Sequence, residues 1–332
     1  MSKKILITGS EGFIGSHLTE LLIKKNFNIR AISYYNFMGS NGWLDKITFK
    51  QKNKIEIIQG DITDDKFTKD ITKNIDVVIN LSALIGIPYS YKSPKSYLNT
   101  NIIGTYNLLE ASLQNNVKKF IQTSTSEVYG NAKKFPITEK FELNGNSPYS
   151  ASKIASDQLA FSYFTSFGLP VLIARPFNVY GPRQSARAII PSIIIQILNG
   201  KKKIELGSLD TRRDFTFVGD TINGFYKLIN HQRNYGEAFH FSNNYDISIY
   251  ELVKTISKIM SVKIEISSSE KRIRPKKSEV KRLKASYLKS KKILGWSPSV
   301  SGKQGLKKGL IQTIDWLSKN ENYKLYLDQY NI

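Results

Sequence analysis

The first fifteen residues contain the feature that most restricts the fold of this chain. Lys4 to Thr8 form a short apolar segment typical of a strand, and a turn with glycines at positions 9, 12 and 15 follows it. A helical pattern of leucines starts directly after the turn, at Leu18. A strand, a glycine turn and a helix in this order predict a dinucleotide site, because the glycines permit a tight turn and a close approach of the backbone to a pyrophosphate.

Strand patterns and helix patterns alternate from residue 1 to about residue 175. Five further strands are predicted at Asn28–Ser33, Ile55–Gln59, Asp76–Leu81, Lys118–Gln122 and Val171–Ala174. This alternation predicts an α/β fold with a doubly wound parallel sheet of the Rossmann type. Residues 1–175 are interpreted as the dinucleotide-binding domain. Residues 176–332, where the pattern becomes irregular and basic, are predicted to form a smaller, mixed substrate-binding region whose strands can return to the first domain.

Charge and composition narrow the range of partners. The chain has 49 Lys and Arg residues against 27 Asp and Glu residues, a formal net charge of +22. This excess predicts an anionic partner (nucleic acid, membrane surface or phosphorylated small molecule), unless it reflects only a lysine-rich surface. The absence of cysteine excludes disulfides and cysteine nucleophiles, and three scattered histidines predict no metal site. Without a signal-peptide pattern or a membrane-length apolar run, we expect a cytoplasmic protein.

Residues at the ends of the predicted strands bear on the cofactor. The second strand ends at Ser33, where a carboxylate usually selects NAD, and no arginine follows that could bind the 2′-phosphate of NADP. Both cofactors therefore remain open. Asp61 follows the third strand, and its carboxylate can accept a hydrogen bond from the adenine amine or cap a helix, two roles that are compatible. Ser82 and Ala83 follow the fourth strand and are small enough for a cofactor to lie close.

The stretch from residue 123 to residue 153 carries the candidate catalytic groups. Thr125 and Glu127 follow a predicted strand and supply a hydroxyl and a carboxylate. Tyr149 and Lys153 stand at i and i+4 in a predicted helix, so they share one face. An ammonium beside a phenol favours the phenolate, which would make Tyr149 a base near neutral pH. Thr125 is then a second hydrogen-bond partner for the same substrate oxygen.

The predicted helix Tyr149–Phe167 has apolar residues on more than one face. They are Ile154, Leu159, Phe161, Phe164 and Phe167. A single apolar stripe is enough to face one core, so a second apolar face indicates a second partner. We therefore predict a homodimer formed by helix pairing.

Taken together, these residues resemble the extended short-chain dehydrogenase/reductase family of enzymes that modify nucleotide sugars. The resemblance spans essentially the whole chain. It is carried, in order, by the glycine turn, Asp61, the run Asn101–Thr105, the Tyr149/Lys153 pair and the run Arg175–Pro182.

Within that family, the triplet Thr125-Ser126-Glu127 is similar to that of the 4,6-dehydratases. A 4-epimerase usually has a small neutral residue in place of Glu127, whereas a dehydratase needs a further acid/base group to remove the C5 proton and expel the C6 hydroxyl. Dehydratases acting on dTDP-glucose carry Asp where this chain has Ser126, and GDP-mannose dehydratases share Thr-Ser-Glu. The group that protonates the leaving hydroxyl is left open between Glu127 and a water.

Three runs resemble one branch of these dehydratases more closely. Residues 83–91, residues 182–188 and residues 35–45 look like the enzymes of legionaminic acid biosynthesis, which act on UDP- or GDP-linked N-acetylglucosamine. The resemblance therefore implies a 4,6-dehydratase of such a sugar, with a tightly bound NAD or NADP that is recycled, NAD being favoured.

The resemblance also implies individual roles. The catalytic residues are Thr125, Glu127, Tyr149 and Lys153. Cofactor contacts are implied for Gly9, Gly12, Phe13, Ile14, Gly15, Ser33, Asp61, Ile62, Leu81, Ser82, Ala83, Thr123, Tyr149 and Lys153. Substrate contacts are implied for Asn178, Arg183, Arg213, Arg274 and Glu279, with Asn178, Arg213 and Arg274 on the diphosphate and Glu279 on the nucleotide ribose.

Two other functions compete with this interpretation. A nucleotide-sugar 4-epimerase would use the same tyrosine and lysine, but it would release no water. A nucleic-acid-binding protein would explain the net charge; however, the sequence lacks a basic stripe interleaved with aromatic residues, so no nucleic-acid partner is expected.

Overall fold

The structure, a computed structural model, describes residues 3–268 and 274–326. Its centre is a sheet of seven parallel strands in the order β3–β2–β1–β4–β5–β6–β11. Numbered in chain order, they are β1 (Lys4–Thr8), β2 (Asn28–Tyr34), β3 (Ile55–Gly60), β4 (Val77–Asn80), β5 (Lys119–Thr123), β6 (Val171–Pro176) and β11 (Ala238–Phe241). The predicted doubly wound sheet is confirmed. Its strand order reverses between β1 and β4, which opens a crevice at the carboxyl ends of these strands.

Helices cover both faces of this sheet. They are α1 (Phe13–Lys24) and α8 (Val218–Asn230) on one face, and α2 (Asp65–Ile71), α5 (Gly104–Gln114) and α6 (Pro148–Phe167) on the other. Successive side chains of a strand point to opposite faces. Accordingly, Ile5 and Ile7 of β1 pack into the core under α1 and α8, while Leu6 packs into the core under α5 and α6. Every position of β4 and β6 is buried, as a sheet covered on both sides requires.

A smaller mixed region with its own core follows. Its strands are β7 (Val179–Tyr180), β8 (Lys203–Leu206), β9 (Arg212–Asp214), β10 (Thr216–Phe217), β12 (Asp246–Ser248) and β13 (Glu265–Ser268). Its helices are α7 (Ile189–Leu198), α9 (Ile249–Ile259) and α11 (Gly302–Ser318). The β12–β9 pair is antiparallel and the β7–β10 and β8–β13 pairs are parallel. Ile193, Leu252 and Leu310 lie at the centre of its core.

Shorter helices complete the described part of the chain. They are α3 (Ile87–Lys92), α4 (Pro94–Tyr97), a π-helix (Leu98–Ile103) that leads into α5, and α10 (Leu288–Leu294), with 3₁₀ turns at Gly42–Lys46, Lys52–Lys54, Ser126–Tyr129 and Lys319–Leu325. In residues 3–268 and 274–326, no helix combines the length and the apolar character needed to cross a bilayer.

Helix α6 begins at a well-defined cap. The hydroxyl of Ser147 accepts a hydrogen bond from the Ser150 amide at 3.1 Å, and Pro148 occupies the first helical position. The helix therefore starts one residue before the sequence predicts, and it carries Tyr149 in its first turn.

A buried ion pair fixes α6 against the sheet. Arg175 of β6 donates to the carboxylate of Asp157 of α6 at 2.7 Å, and the two side chains are 4% and 1% exposed. Arg175 also donates to the hydroxyls of Ser124 at 3.1 Å and Tyr129 at 2.6 Å, and Ser124 donates to Asp157 at 2.5 Å. The network therefore joins α6, β6 and the segment that follows β5.

We expect Asp157→Asn to lower the free energy of unfolding by about 3–5 kcal/mol, because it leaves the Arg175 guanidinium buried without its counter-charge. Urea denaturation followed by circular dichroism measures this loss. Asp70→Asn, which breaks an exposed pair with Lys73, is the matched control and should leave the midpoint unchanged. Equal midpoints for the two variants would contradict the assignment.

Candidate active site

The glycine turn between β1 and α1 is as tight as the sequence predicts. Gly9 has a φ of +64°, and a Cβ atom on Gly15 would lie 2.1 Å from the carbonyl oxygen of Gly9. A Cβ atom on Gly9 itself would lie 3.0 Å from the backbone of Leu81 and Ser82, so the turn rests against the end of β4. The N-cap of α1 is Gly12, and no side chain among the described residues caps its first turn. Its amides and dipole can therefore receive a phosphate.

The helix-capping role that the sequence analysis considered for Asp61 belongs to Asp64. The α2 cap is Asp64, whose carboxylate accepts the Phe67 amide at 3.0 Å. The carboxylate of Asp61 accepts the amide of Thr63 at 2.9 Å instead. Of the two roles considered for Asp61, helix capping is therefore wrong, and the contact with adenine stays a prediction.

Two further features, a buried hydroxyl and a close helix contact, lie near the carboxyl ends of the strands, where a dinucleotide is predicted to bind. The hydroxyl of Thr123, at the end of β5, is buried and has no hydrogen-bond partner among the described residues. Ile62 packs so closely on α5 that a Cβ atom on Gly104 would lie 2.5 Å from it. Phe13 and Ile14 form the start of α1 beside the turn, and Ala83 lines the cavity described below. These residues can hold a cofactor; their individual contacts remain predictions.

The structure brings the candidate catalytic residues together. Thr125 caps the 3₁₀ turn Ser126–Tyr129, and its hydroxyl accepts the Glu127 amide at 3.3 Å. The side chain of Thr125 also lies close enough to the phenol of Tyr149 to lower its pKa. Glu127 is buried, and it lies close enough to Tyr149 for its charge to act on the phenol. A hydroxyl, a phenol and a carboxylate thus converge at the ends of β5 and α6.

The electrostatics of Tyr149 differ from the sequence-based expectation. Burial raises the pKa of the Tyr149 phenol, the side chain of Thr125 lowers it, and the charge of Glu127 raises it further. Burial also lowers the pKa of Lys153 to about 8, against an opposing effect of Asp157. Removal from water therefore has the largest effect on the pKa of both groups, and the easing of phenol ionisation by Lys153 stays a prediction. The Lys153 ammonium makes no ion pair among the described residues.

Two arginines and two glutamates form a charged cluster beside these groups. Arg274 lies 3.7 Å from Glu127 and 3.8 Å from Glu279, and Arg213 lies 3.3 Å from Glu279. Arg213 is buried, which lowers its pKa. One terminal nitrogen of Arg274 is buried without a hydrogen-bond partner in the described part of the chain. A guanidinium in that state is suited to an anionic ligand.

The other two predicted substrate residues lie in different surroundings. Asn178 has a φ of +26°, and its side chain donates to the Asp214 carbonyl at 3.1 Å. Arg183 pairs with Glu20 of α1 at 2.9 Å, so it sits beside the helix of the glycine turn. The contacts of Arg183 in residues 3–268 and 274–326 do not join it to the Arg213 and Arg274 cluster. Its role toward the substrate stays a prediction.

A cavity next to the catalytic residues was not predicted from the sequence. It has a volume of about 460 Å³ and is lined by Ala83, Leu84, Ile85, Gly86, Tyr89, Tyr97 and Arg187. The ring of Tyr97 packs edge-on against Tyr149 at 6.2 Å, and its hydroxyl donates to the Gly86 carbonyl at 2.5 Å. All of these lining residues except Tyr97 belong to the runs 83–91 and 182–188, which carry part of the family resemblance. The spacing of residues along the chain does not, however, predict that Arg187 lies near Tyr97.

No group of three or more His, Asp or Glu side chains within the described ranges is arranged to bind a metal ion. The side chains gathered at the candidate site supply a phenol, an ammonium, a hydroxyl and a carboxylate.

We expect Lys153→Met to raise the free energy of unfolding of cofactor-free protein at pH 7 by ~3 kcal/mol. The ammonium of folded Lys153 has a pKa of about 8 against an ordinary 10.5, so its burial penalty is fully present below pH 8 and fades as the pH approaches 10.5. Urea denaturation at pH 7 and pH 10 should show the advantage of methionine shrinking. Lys95→Met, at an exposed site, is the control. If the free energy of unfolding of Lys153→Met exceeded that of the wild type by the same amount at both pH values, the prediction would be refuted.

Comparisons with known proteins place this geometry in a family. The family model for GDP-mannose 4,6 dehydratase matches residues 6–309. The chain is 31% identical over 330 residues to dTDP-D-glucose 4,6-dehydratase of Homo sapiens, covering 97% of this chain and 92% of that protein. It is 32% identical over 332 residues to a UDP-N-acetyl-alpha-D-glucosaminuronate decarboxylase of Bacillus cytotoxicus, covering 97% and 100%.

Solved structures give the same result. A dTDP-glucose 4,6-dehydratase from Streptomyces venezuelae with NAD and TYD bound matches with a TM-score of 0.86 at 26% identity, over 97% of this chain and 98% of that one. A UDP-glucose 4-epimerase from Thermotoga maritima with UDP-glucose matches with a TM-score of 0.85 at 28% identity, over 96% and 99%. With its glycine turn and its Tyr149/Lys153 pair on the scaffold these enzymes share, the chain belongs to the nucleotide-sugar 4,6-dehydratase family of extended short-chain dehydrogenases/reductases.

Proposed function

We propose that this protein catalyses the 4,6-dehydration of a nucleotide-linked N-acetylhexosamine, UDP- or GDP-N-acetylglucosamine, to the 4-keto-6-deoxy sugar. The observation that carries the proposal is the buried carboxylate of Glu127 beside Tyr149 and Arg274. Oxidation at C4 needs only the phenol, the lysine and a hydroxyl. Loss of water needs a further group that can take and return a proton, and Glu127 is in place to do this.

The residues divide the reaction between them. A bound nicotinamide supplies a hydride acceptor that later returns the hydride. Tyr149 takes the O4 proton of the sugar, Thr125 orients that oxygen, and the Lys153 charge stabilises the phenolate and holds the nicotinamide ribose. The 4-ketone acidifies the C5–H bond, and Glu127 removes that proton while the C6–O bond breaks.

Glu127 is also our choice for the acid that protonates the leaving hydroxyl. Ser126 is buried, and its neutral hydroxyl is a poor proton donor near pH 7. The proton that Glu127 takes from C5 can pass to the departing oxygen at C6, so water leaves and a C5–C6 double bond remains. Hydride returned from a bound nicotinamide would saturate C6, a proton from solvent would restore the hydrogen at C5, and Tyr149 would release the O4 proton to solvent.

The charged cluster supports an anionic, nucleotide-linked substrate. Arg213 presents a buried guanidinium group and Arg274 a guanidinium with one buried terminal nitrogen, and guanidinium groups match a diphosphate through paired donors. We assign the diphosphate to these two residues and Asn178, and the nucleotide ribose to Glu279. The ion pairs of Glu279 with both arginines support this by placing its carboxylate at the edge of the same cluster.

The N-acetyl group and the role in legionaminic acid and surface-glycan synthesis rest on residues 35–45, 83–91 and 182–188. One relative, the decarboxylase of Bacillus cytotoxicus, is named for an N-acetylated nucleotide sugar, which supports this substrate class. The 4-epimerase remains the alternative, because the Thermotoga maritima structure matches over nearly the whole chain. The position of Glu127 favours the dehydratase.

We assign the homodimer to α6 and the helix beside it. Phe161 of α6, Ile103 of the π-helix and Tyr106 of α5 are large apolar residues that are 42%, 47% and 43% exposed. The π-helix, α5 and α6 pack against one another, so a second copy lying on them would cover all three side chains.

Tyr106→Asp is expected to shift the protein from dimer to monomer in light scattering coupled to gel filtration, because a carboxylate on this face would have to be buried without a partner. Tyr250→Asp, at a site of similar exposure on α9, is the control and should stay dimeric. A wild-type monomer would contradict the assignment.

The reaction itself is tested by mass spectrometry of the purified protein incubated separately with UDP-N-acetylglucosamine and GDP-N-acetylglucosamine. Loss of one water from either substrate is the expected result, and it names the nucleotide at the same time. An isomer of unchanged mass would favour the epimerase.

Glu127→Gln should lower the rate of dehydration by at least about a hundredfold, because the amide cannot accept the C5 proton. Slow oxidation at C4 should persist and appear as absorbance of reduced nicotinamide. Glu142→Gln, which changes an exposed carboxylate in the segment between Glu127 and Tyr149, is the matched control and should keep full activity. Full dehydratase activity in Glu127→Gln would refute the assignment.

A further inference from the structure

The end of β2 lacks the acid that usually distinguishes NAD from NADP. Ser33 is fully buried there, and its hydroxyl donates to the side-chain oxygen of Asn41 at 2.9 Å. Its proton is therefore already used within the protein. Tyr34, the next residue, points largely into solvent. Both side chains are uncharged, so neither can repel a 2′-phosphate.

A carboxylate reaches this place from another part of the chain. Glu11 lies in the glycine turn, and its Oε1 atom accepts a hydrogen bond from the backbone amide of Tyr34 at 3.1 Å. The side chain thus crosses from the turn after β1 to the carboxyl end of β2. In dinucleotide-binding sheets this is the position at which an acidic side chain meets the adenosine ribose.

The second oxygen of this carboxylate has no partner. The Oε2 atom of Glu11 is buried and makes no hydrogen bond within residues 3–268 and 274–326. Burial raises the pKa of the Glu11 carboxyl, against hydrogen bonds from the backbone of Glu11 and Tyr34. A buried acceptor without a donor is costly, and a ribose hydroxyl is a donor that would satisfy it. None of the ion pairs of the described residues involves Glu11, so no lysine or arginine neutralises its charge.

The 3₁₀ turn Gly42–Lys46 holds Glu11 in place. The amide of Trp43 donates to the Glu11 carbonyl at 3.0 Å. Gly42 has a φ of +56°, and a Cβ atom there would lie 2.9 Å from the carbonyl oxygen of Glu11 and 3.2 Å from its Cβ. The contact is therefore close enough that this turn packs directly on the residue, which limits the freedom of the carboxylate to swing away.

We propose that Glu11 replaces the missing acid of β2: its carboxylate accepts a hydrogen bond from the 2′-hydroxyl of the adenosine ribose and repels a 2′-phosphate. The protein is on this account selective for NAD. The inference rests on the dinucleotide cofactor of the proposed function and not on its sugar, so each can fail without the other.

The test compares the dissociation constants of NAD⁺ and NADP⁺ by isothermal titration calorimetry, on full-length protein stripped of cofactor and without sugar nucleotide. The wild type should bind NAD⁺ more tightly. In Glu11→Gln the preference should fall by about tenfold or more, because one charge repulsion is lost. Glu11→Asp should keep most of the preference, because it keeps the charge.

Glu56→Gln is the matched control, since it removes a carboxylate from β3, the strand next to β2, and should leave the preference unchanged. Mass spectrometry of the dinucleotide released from freshly purified wild-type protein gives a second reading and should find NAD. A folded Glu11→Gln protein with the wild-type preference would overturn the inference. So would a wild type that binds NADP⁺ as tightly as NAD⁺, whether or not the variant folds.

Discussion

The buried ion pair between Asp157 and Arg175 is the interaction on which the candidate site depends. It joins the middle of α6 to β6, and both of its members make hydrogen bonds with Ser124, the residue just before Thr125. Because Lys153 lies one helical turn before Asp157, and Tyr149 one turn before Lys153, the pair fixes both residues relative to Thr125 and Glu127. A buried pair is weak evidence for added stability, since desolvation offsets much of its attraction. Here the ion pair matters because it holds α6 in a fixed orientation relative to the carboxyl end of β5.

The same site holds charges whose surroundings are incomplete without ligands. Burial opposes the charged forms of Tyr149 and Lys153, and one buried nitrogen of Arg274 has no hydrogen-bond partner among the described residues. A diphosphate at the arginines and a dinucleotide beside Lys153 would supply what these groups lack. Such preorganised, partly desolvated groups stabilise developing charge more strongly than groups in water do. On the proposed function, the cluster would exchange some stability of the free protein for binding and catalysis.

Much of this arrangement could be predicted from the sequence, for local reasons. The apolar runs gave the positions of the first six strands along the chain, most clearly for β4, because a strand covered on both faces must be apolar along its length. Spacing put Tyr149 and Lys153 on one face, and the cap at Ser147 starts their helix within one residue of its predicted position. The seventh strand, β11, was not anticipated individually, since its four residues carry no signal that distinguishes a sheet edge from a strand of the second region.

The remaining features depend on contacts between distant residues. Arg183 forms an ion pair with Glu20, and Asp64 rather than Asp61 caps α2. The raised pKa of Tyr149 reflects burial, which spacing along a helix does not report. Glu11 could not be predicted from the strand that ends at Ser33, because its carboxylate arrives there from the turn after β1.

In the proposed reaction, one cycle moves a hydride from C4 to C6 of a single sugar while Glu127 removes the proton at C5. The most direct measurement uses a nucleotide-linked N-acetylglucosamine carrying deuterium at C4 and locates the label in the product by NMR. This account predicts deuterium at C6 of a 4-keto-6-deoxy sugar, with a hydrogen from solvent at C5. Deuterium found again at C4 of an inverted sugar that has lost no water would contradict it and establish an epimerase.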